Sequence, residues 1–119
     1  MDKIKFIQFK GKEILFLNFS NCCIEDWTKG IEEAKKIIKA RPEKSLLVLT
    51  DITNARFNEE VSHIIKDFTA HNKPYVKASA VVGVVGLKKV LFETIMFFSK
   101  RKFHAFDTIE QAKEWLSTM

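Results

Sequence analysis

From Ser45 to Asn54 the chain reads Ser-Leu-Leu-Val-Leu-Thr-Asp-Ile-Thr-Asn, with four apolar residues, Leu46 to Leu49, running directly into a polar turn. An unbroken apolar run this short suits a strand covered on both faces, because a half-exposed strand alternates apolar with polar side chains. Segments of helical period lie on either side of it, so it is expected to be the central strand of an α/β sheet. In open sheets of this class, binding chemistry collects beyond the carboxyl ends of the strands. Asp51, Thr53, Asn54 and Arg56 therefore form the first candidate site. An Asx-turn, in which the carboxylate bonds the backbone two residues on, accounts for Asp51 equally well without any ligand.

The chain of 119 residues is expected to form one domain, residues 1–119, with a single core. Ile4, Phe6, Ile7 and Phe9 read as a first strand whose alternation slips once, and Ile14 to Leu17 as a second. Lys10-Gly11-Lys12 between them predicts an antiparallel hairpin. Ser20 or Asn21 is placed to cap a helix whose buried stripe is Ile24, Trp27, Ile31, Ala34 and Ile38, and Pro42 ends it. Asn58 followed by Glu59 and Glu60 is a cap with acids in the first turn, where the helix dipole favours them. Val61, Ile64, Ile65 and Phe68 give that helix its buried side, and His71-Asn72-Lys73-Pro74 closes it. Tyr75 to Val82 predicts a strand with Val76, Ala78, Ala80 and Val82 on one face and Lys77 and Ser79 on the other. Gly83-Val84-Val85-Gly86 leads to a third helix over residues 87–99, and Phe103 to Phe106 is a last short strand. Asp107, with Glu110 three residues on, starts a fourth helix that buries Ile109, Ala112, Trp115 and Leu116. The order is ββαβαβαβα, which implies a mostly parallel sheet with right-handed crossovers and an N-terminal antiparallel hairpin.

In the third helix, Leu87, Val90, Leu91, Thr94 and Phe98 form one stripe, flanked by Ile95 and Phe97. Phe92 and Met96 fall outside it, together among Lys88, Lys89 and Glu93, and so predict self-association as a homodimer unless another element of the same chain covers them. The formal net charge of +5 is concentrated locally in Lys88, Lys89, Lys100, Arg101 and Lys102. Such a patch is either a solvated rim or a weak site for phosphate or anionic lipid; it lacks the base-reading groups of a specific nucleic-acid binder.

Cys22 and Cys23 are adjacent, a spacing that resists disulfide geometry and points to a reduced, cytoplasmic setting. Their place before a helix favours a thiolate, which Glu25 and Asp26 oppose. His63, His71 and His104 lie on different elements without a metal-ligand spacing, and no cofactor motif is present: Gly83 to Lys89 lacks the glycine-lysine-hydroxyl ending of a phosphate loop. No apolar stretch approaches the roughly 18 residues of a membrane span, so a soluble chain without a transmembrane segment is expected. Nucleophile, base and oxyanion donors cannot all be assigned, which disfavours an enzyme.

The element order, the acidic residue ending the third strand, and the segments Ala80-Val81-Val82-Gly83-Val84-Val85-Gly86-Leu87-Lys88-Lys89 and Phe106-Asp107-Thr108-Ile109-Glu110-Gln111-Ala112-Lys113-Glu114-Trp115-Leu116 resemble the STAS fold of anti-sigma-factor antagonists, and most closely its small SpoIIAA-like bacterial group. The resemblance implies a non-enzymatic regulatory or protein-interaction domain whose partner meets the turn from Asp51 to Asn58 and the helix start at Glu59. In true antagonists that turn leads to a phosphorylated serine. Aligning Asp51-Ile52-Thr53 on the family's Asp-Leu-Ser pattern sets that position near Asn58, Glu59 and Glu60, where no serine stands; the nearest hydroxyls are Thr53 and Ser62. Glu59 would then supply either a fixed negative charge or simple capping. A more distant similarity to CRAL-TRIO lipid-transfer domains implies the alternative, a carrier or sensor of a small apolar or anionic amphiphile, with which eleven phenylalanines and the basic patch agree. An apolar cavity above about 300 Å³ would favour the carrier, and a filled core the interaction domain.

Overall fold

In the computed structural model, residues 3–99 and 103–119 are described. The elements run β1 (Ile4–Phe9), β2 (Lys12–Asn18), α1 (Ile24–Lys39), β3 (Leu46–Asp51), α2 (Glu59–Asn72), β4 (Val76–Val82), α3 (Leu87–Ser99), β5 (His104–Phe106) and α4 (Ile109–Ser117). The five strands are ordered in the sheet as they are in sequence, with β1 antiparallel to β2 and every other neighbour parallel. Crossovers that step one strand at a time with one handedness put α1, α2 and α3 on the same face. The opposite face is left to α4, and two separate apolar clusters follow from this division.

The strand β3 sits at the centre and serves both clusters: Leu46 and Val48 pack under the three helices, Leu47 and Leu49 under α4. All four are buried, which is why the run carries no polar residue. The edge strand β1 works similarly. Ile4 and Phe6 belong to the three-helix side, Ile7 and Phe9 to the α4 side. Strict alternation is therefore kept along β1, and the slip read in its sequence is a change in which face the strand buries. At the hairpin turn Lys10 (φ 49°) and Gly11 (φ 79°) are both left-handed, matching a two-residue turn that follows the strand twist.

Three local expectations are corrected. In β4 the register shifts between the Leu46 and Leu47 pairings, so that Val76 and Ala78 face consecutive residues of β3 and Lys77 is the extra residue. This bulge turns Val76 to the three-helix side while Ala78, Ala80 and Val82 stay under α4. At α1 neither Ser20 nor Asn21 caps: Cys23 holds the cap position without a side-chain bond, Ser20 bonds Asn18 Oδ1, and Asn21 (φ 58°) donates its N–H to Thr53 O at 2.8 Å. At α4 the capping box lies one residue later than Asp107 and Glu110, because Thr108 takes the extended cap conformation and exchanges bonds of 3.1 and 3.3 Å with Gln111.

The largest correction concerns α3. Phe92 and Ile95 are buried, at 7% and 0% exposure, while Val90 is 62% exposed. The buried side is thus rotated from the expected stripe; the side chains of Leu87, Phe97 and Phe98 lie outside the described residues. Phe103, leading into β5, covers the helix there: its ring meets Phe92 edge-on at 6.1 Å and its N–H donates to Met96 Sδ at 3.4 Å. Phe92 is therefore buried within one chain and Met96 half-buried beside it, so the two are not the fully exposed pair that the sequence suggests.

Beneath α1, Phe19 stacks on Trp27 with centroids 4.4 Å apart and planes 16° from parallel. Gly30 lets the helix settle on that ring: a Cβ there would stand 2.5 Å from Phe19 Cε1. Phe19 is almost wholly buried, so its ring can yield only into a small void of the core. Gly30→Ala is predicted to destabilise by about 1–3 kcal/mol despite the better helix propensity of alanine. Urea unfolding checks it; a midpoint at or above that of the parent would refute the packing account.

Candidate functional site

The carboxyl ends of β3 and β4 converge on the segment Ile52 to Asn58. Asp51, 7% exposed, accepts the Thr53 N–H at 2.9 Å and the Thr53 hydroxyl at 2.6 Å through the same carboxylate oxygen. This is the Asx-turn, so its carboxylate is engaged within its own loop. Asn54 (φ 57°) then reverses the chain in the left-handed region that asparagine tolerates.

Other elements fasten the same segment from several directions. Ile52 donates its N–H to Val82 O of β4 at 2.9 Å; Arg56 donates its N–H to Cys22 O at 3.0 Å and accepts the Trp27 indole N–H at 2.8 Å. Gly83 (φ 94°) comes so close that a Cβ there would stand 2.6 Å from Thr53 N. Lys88, from the first turn of α3, donates its ammonium to Ile52 O at 3.0 Å and lies 5.5 Å from the Phe57 ring centroid. Phe57 in turn rests on Trp27 at 5.1 Å. Burial pushes the Lys88 pKa below the usual lysine value, with the Asp51 charge opposing that shift. Asn58 caps α2 as expected, its Oδ1 accepting the Val61 N–H at 2.8 Å.

The predicted site residues thus divide in two. Asp51 and Asn58 hold backbone, whereas the residues Thr53, Asn54, Arg56 and Glu59 form an exposed rim, and Arg56 has no ion pair among the described residues. Of the expected basic patch, Lys88 is folded into the turn and Lys89 is exposed, and Lys100, Arg101 and Lys102 lie outside the described residues. Sequence reasoning missed Trp27, Lys88 and Gly83 as parts of this site. Trp27 sits on a core stripe and Lys88 in a charged run, and only the glycine carried a legible hint of close approach.

Neither cysteine is an activated thiol. Burial pushes Cys22 up to about 11, and Cys23, whose Sγ donates to Asp26 Oδ2 at 3.1 Å, is raised chiefly by that bond. Among the described residues no three His, Cys, Asp or Glu side chains converge as a metal site, and no described helix is long and apolar enough to cross a membrane. Between the sheet and α1–α3 the core holds a void of only about 40 Å³, far below the size of an amphiphile cavity. Beside the turn, Phe57, Asn58, Ser62, Lys88 and Leu91 line a shallow groove of about 260 Å³. No protein-family model matches the chain, and neither the curated proteins nor the solved structures contain a significant match to it.

Lys88→Met is predicted to cost about 1 kcal/mol through the lost bond to Ile52 O, and Asn58→Ala about the same through the lost cap. Thermal or urea unfolding measures both, and wild-type stability in both variants would contradict these tethers. The raised Cys22 pKa sets a pH dependence. Because the folded value lies above the unfolded one of about 9, the contribution of the neutral thiol is complete below pH 9 and lost as pH rises through about 11. Cys22→Ala should reduce the loss of stability measured between those values, and an unaltered loss would show that the thiol is not the titrating group.

Proposed function

We propose that this chain is a non-enzymatic regulatory or protein-interaction domain of the STAS type, nearest the SpoIIAA-like group, acting in the cytoplasm. Its protein partner reads the rim formed by Thr53, Asn54, Arg56 and Glu59, with Asn58 capping α2 between them. One observation carries the reading: the turn that bears this rim is bonded through Ile52 to β4 and α3 and through Thr53 and Arg56 to α1 and the loop before it, while the outward side chains of the rim are exposed. A surface held in one conformation loses little freedom on binding, which favours recognition by shape and charge. The small core void supports this reading over a carrier with an internal ligand. Asp51 and Lys88, the groups most suited to acid–base work, are both engaged in holding the turn.

In this reading the rim works without a hydroxyl switch, which the engagement of both nearby hydroxyls supports. Thr53 donates its hydroxyl to Asp51, and Ser62 donates its own to Asn58 O at 3.1 Å. The domain therefore presents one permanent state, with Glu59 and Glu60 supplying fixed negative charge at the start of α2.

A photo-crosslinking residue at position 56, compared with one at exposed Lys36 on α1, tests the partner surface. A defined crosslinked protein in cells is expected from position 56 alone, lost on Glu59→Lys. The same products from both positions, or none from position 56, would overturn the proposal. Phosphopeptide mapping should find Thr53 and Ser62 unmodified, and stoichiometric phosphate on either would restore the switch.

A further inference from the structure

Where α3 passes over β5, the three-helix face is left open by an apolar groove of about 270 Å³. Buried Val81 and Phe92 form its floor, Met96, Phe103 and Ala105 its sides, and exposed Lys89 and Glu93 stand at its mouth. The space exceeds the roughly 150 Å³ that admits a benzene ring in a protein interior. Its walls suit an aromatic guest in particular. Phe92 and Phe103 meet edge to face at 6.1 Å, an arrangement that a third ring can extend, and Met96 is fixed beside them by the Phe103 N–H, 3.4 Å from its sulfur.

The mouth adds a charge pattern. Lys89 and Glu93 are four residues apart on one helix, which puts their Cβ atoms about 5–6 Å from each other. Neither belongs to an ion pair among the described residues. The order lysine then glutamate is the weaker orientation for such a pair along a helix, and an outside ligand would displace no described ion-pair partner from either charge. A single positive or negative ligand would satisfy one of them and oppose the other. A head group carrying both an ammonium and a carboxylate satisfies both.

We propose that this groove binds a free aromatic amino acid, its ring against Phe92 and Phe103, its carboxylate toward Lys89 and its ammonium toward Glu93. The site is separate from the partner rim and does not depend on the interaction reading above.

Amide ¹H–¹⁵N titration of the intact protein with L-tryptophan, tryptamine and indole-3-propionate tests it. Saturable shifts should centre on Val84, Lys89, Glu93 and Phe103, with L-tryptophan bound about two- to fivefold tighter than either analogue, the scale of one exposed charge contact. Ala105→Trp, which fills the groove from its side, should abolish the shifts while the melting temperature is retained. Glu93→Gln removes no core volume; it should erase the advantage of L-tryptophan over indole-3-propionate and leave binding of indole-3-propionate in place. Equal binding of the three compounds, no saturable shifts in the millimolar range, or an advantage that survives Glu93→Gln would each overturn the assignment.

Discussion

The structure depends on how the chain satisfies its backbone where it leaves the central strand. A strand buried on both faces delivers its carboxyl end into the interior of the domain, and the polar groups of the following turn must find partners there or incur the cost of desolvation. Here the Asp51 carboxylate takes the Thr53 N–H, the Ile52 N–H goes to Val82 O, and the Ile52 carbonyl receives the Lys88 ammonium. The Phe19 and Asn21 N–H groups reach back to Asp51 O and Thr53 O, so the loop before α1 is fastened to the same turn. The turn lies at the carboxyl end of the central strand, where an α/β sheet presents its chemistry.

That arrangement also explains the aromatic column beneath the rim. Trp27 is held between Phe19 and Phe57, with its indole N–H on Arg56 O, and the Lys88 ammonium lies beyond Phe57. One ring system thereby joins α1 to the rim and to α3. The unequal helix layers have a further consequence. With three helices on one face and α4 alone on the other, α3 must cover the β5 edge by itself, and the groove flanked by Phe92, Met96 and Phe103 remains where that cover is incomplete.

Much of the fold could be read from local patterns because those patterns report burial directly. The apolar run in β3, the stripe of α1, the Asn58 cap and the Lys10-Gly11 turn all depend on neighbours close in sequence. The misreadings share the opposite origin. Helix α3 is apolar around most of its circumference, so periodicity could not decide its phase, and the contact of Phe92 with Phe103, which lies beyond the helix, marks the side that is covered. The bulge at Lys77 arises from pairing with β3 and leaves no mark within β4 itself. Lys88 looked like part of a solvated basic run, yet its long stem carries the charge to a carbonyl 36 residues away. Of the candidate site, the location was legible from the strand end, whereas the division between residues that hold the turn and residues that face outward required the three-dimensional contacts.

Native-state hydrogen exchange at the turn amides tests the central claim most directly. The N–H groups of Ile52, Thr53, Ala55 and Arg56 all have acceptors in the structure. If the turn is the rigid platform described here, these amides should exchange with the slow, cooperative protection of the β3 strand, through openings close in free energy to global unfolding. Exchange of the same amides on the timescale of a mobile loop, while β3 remains protected, would contradict it.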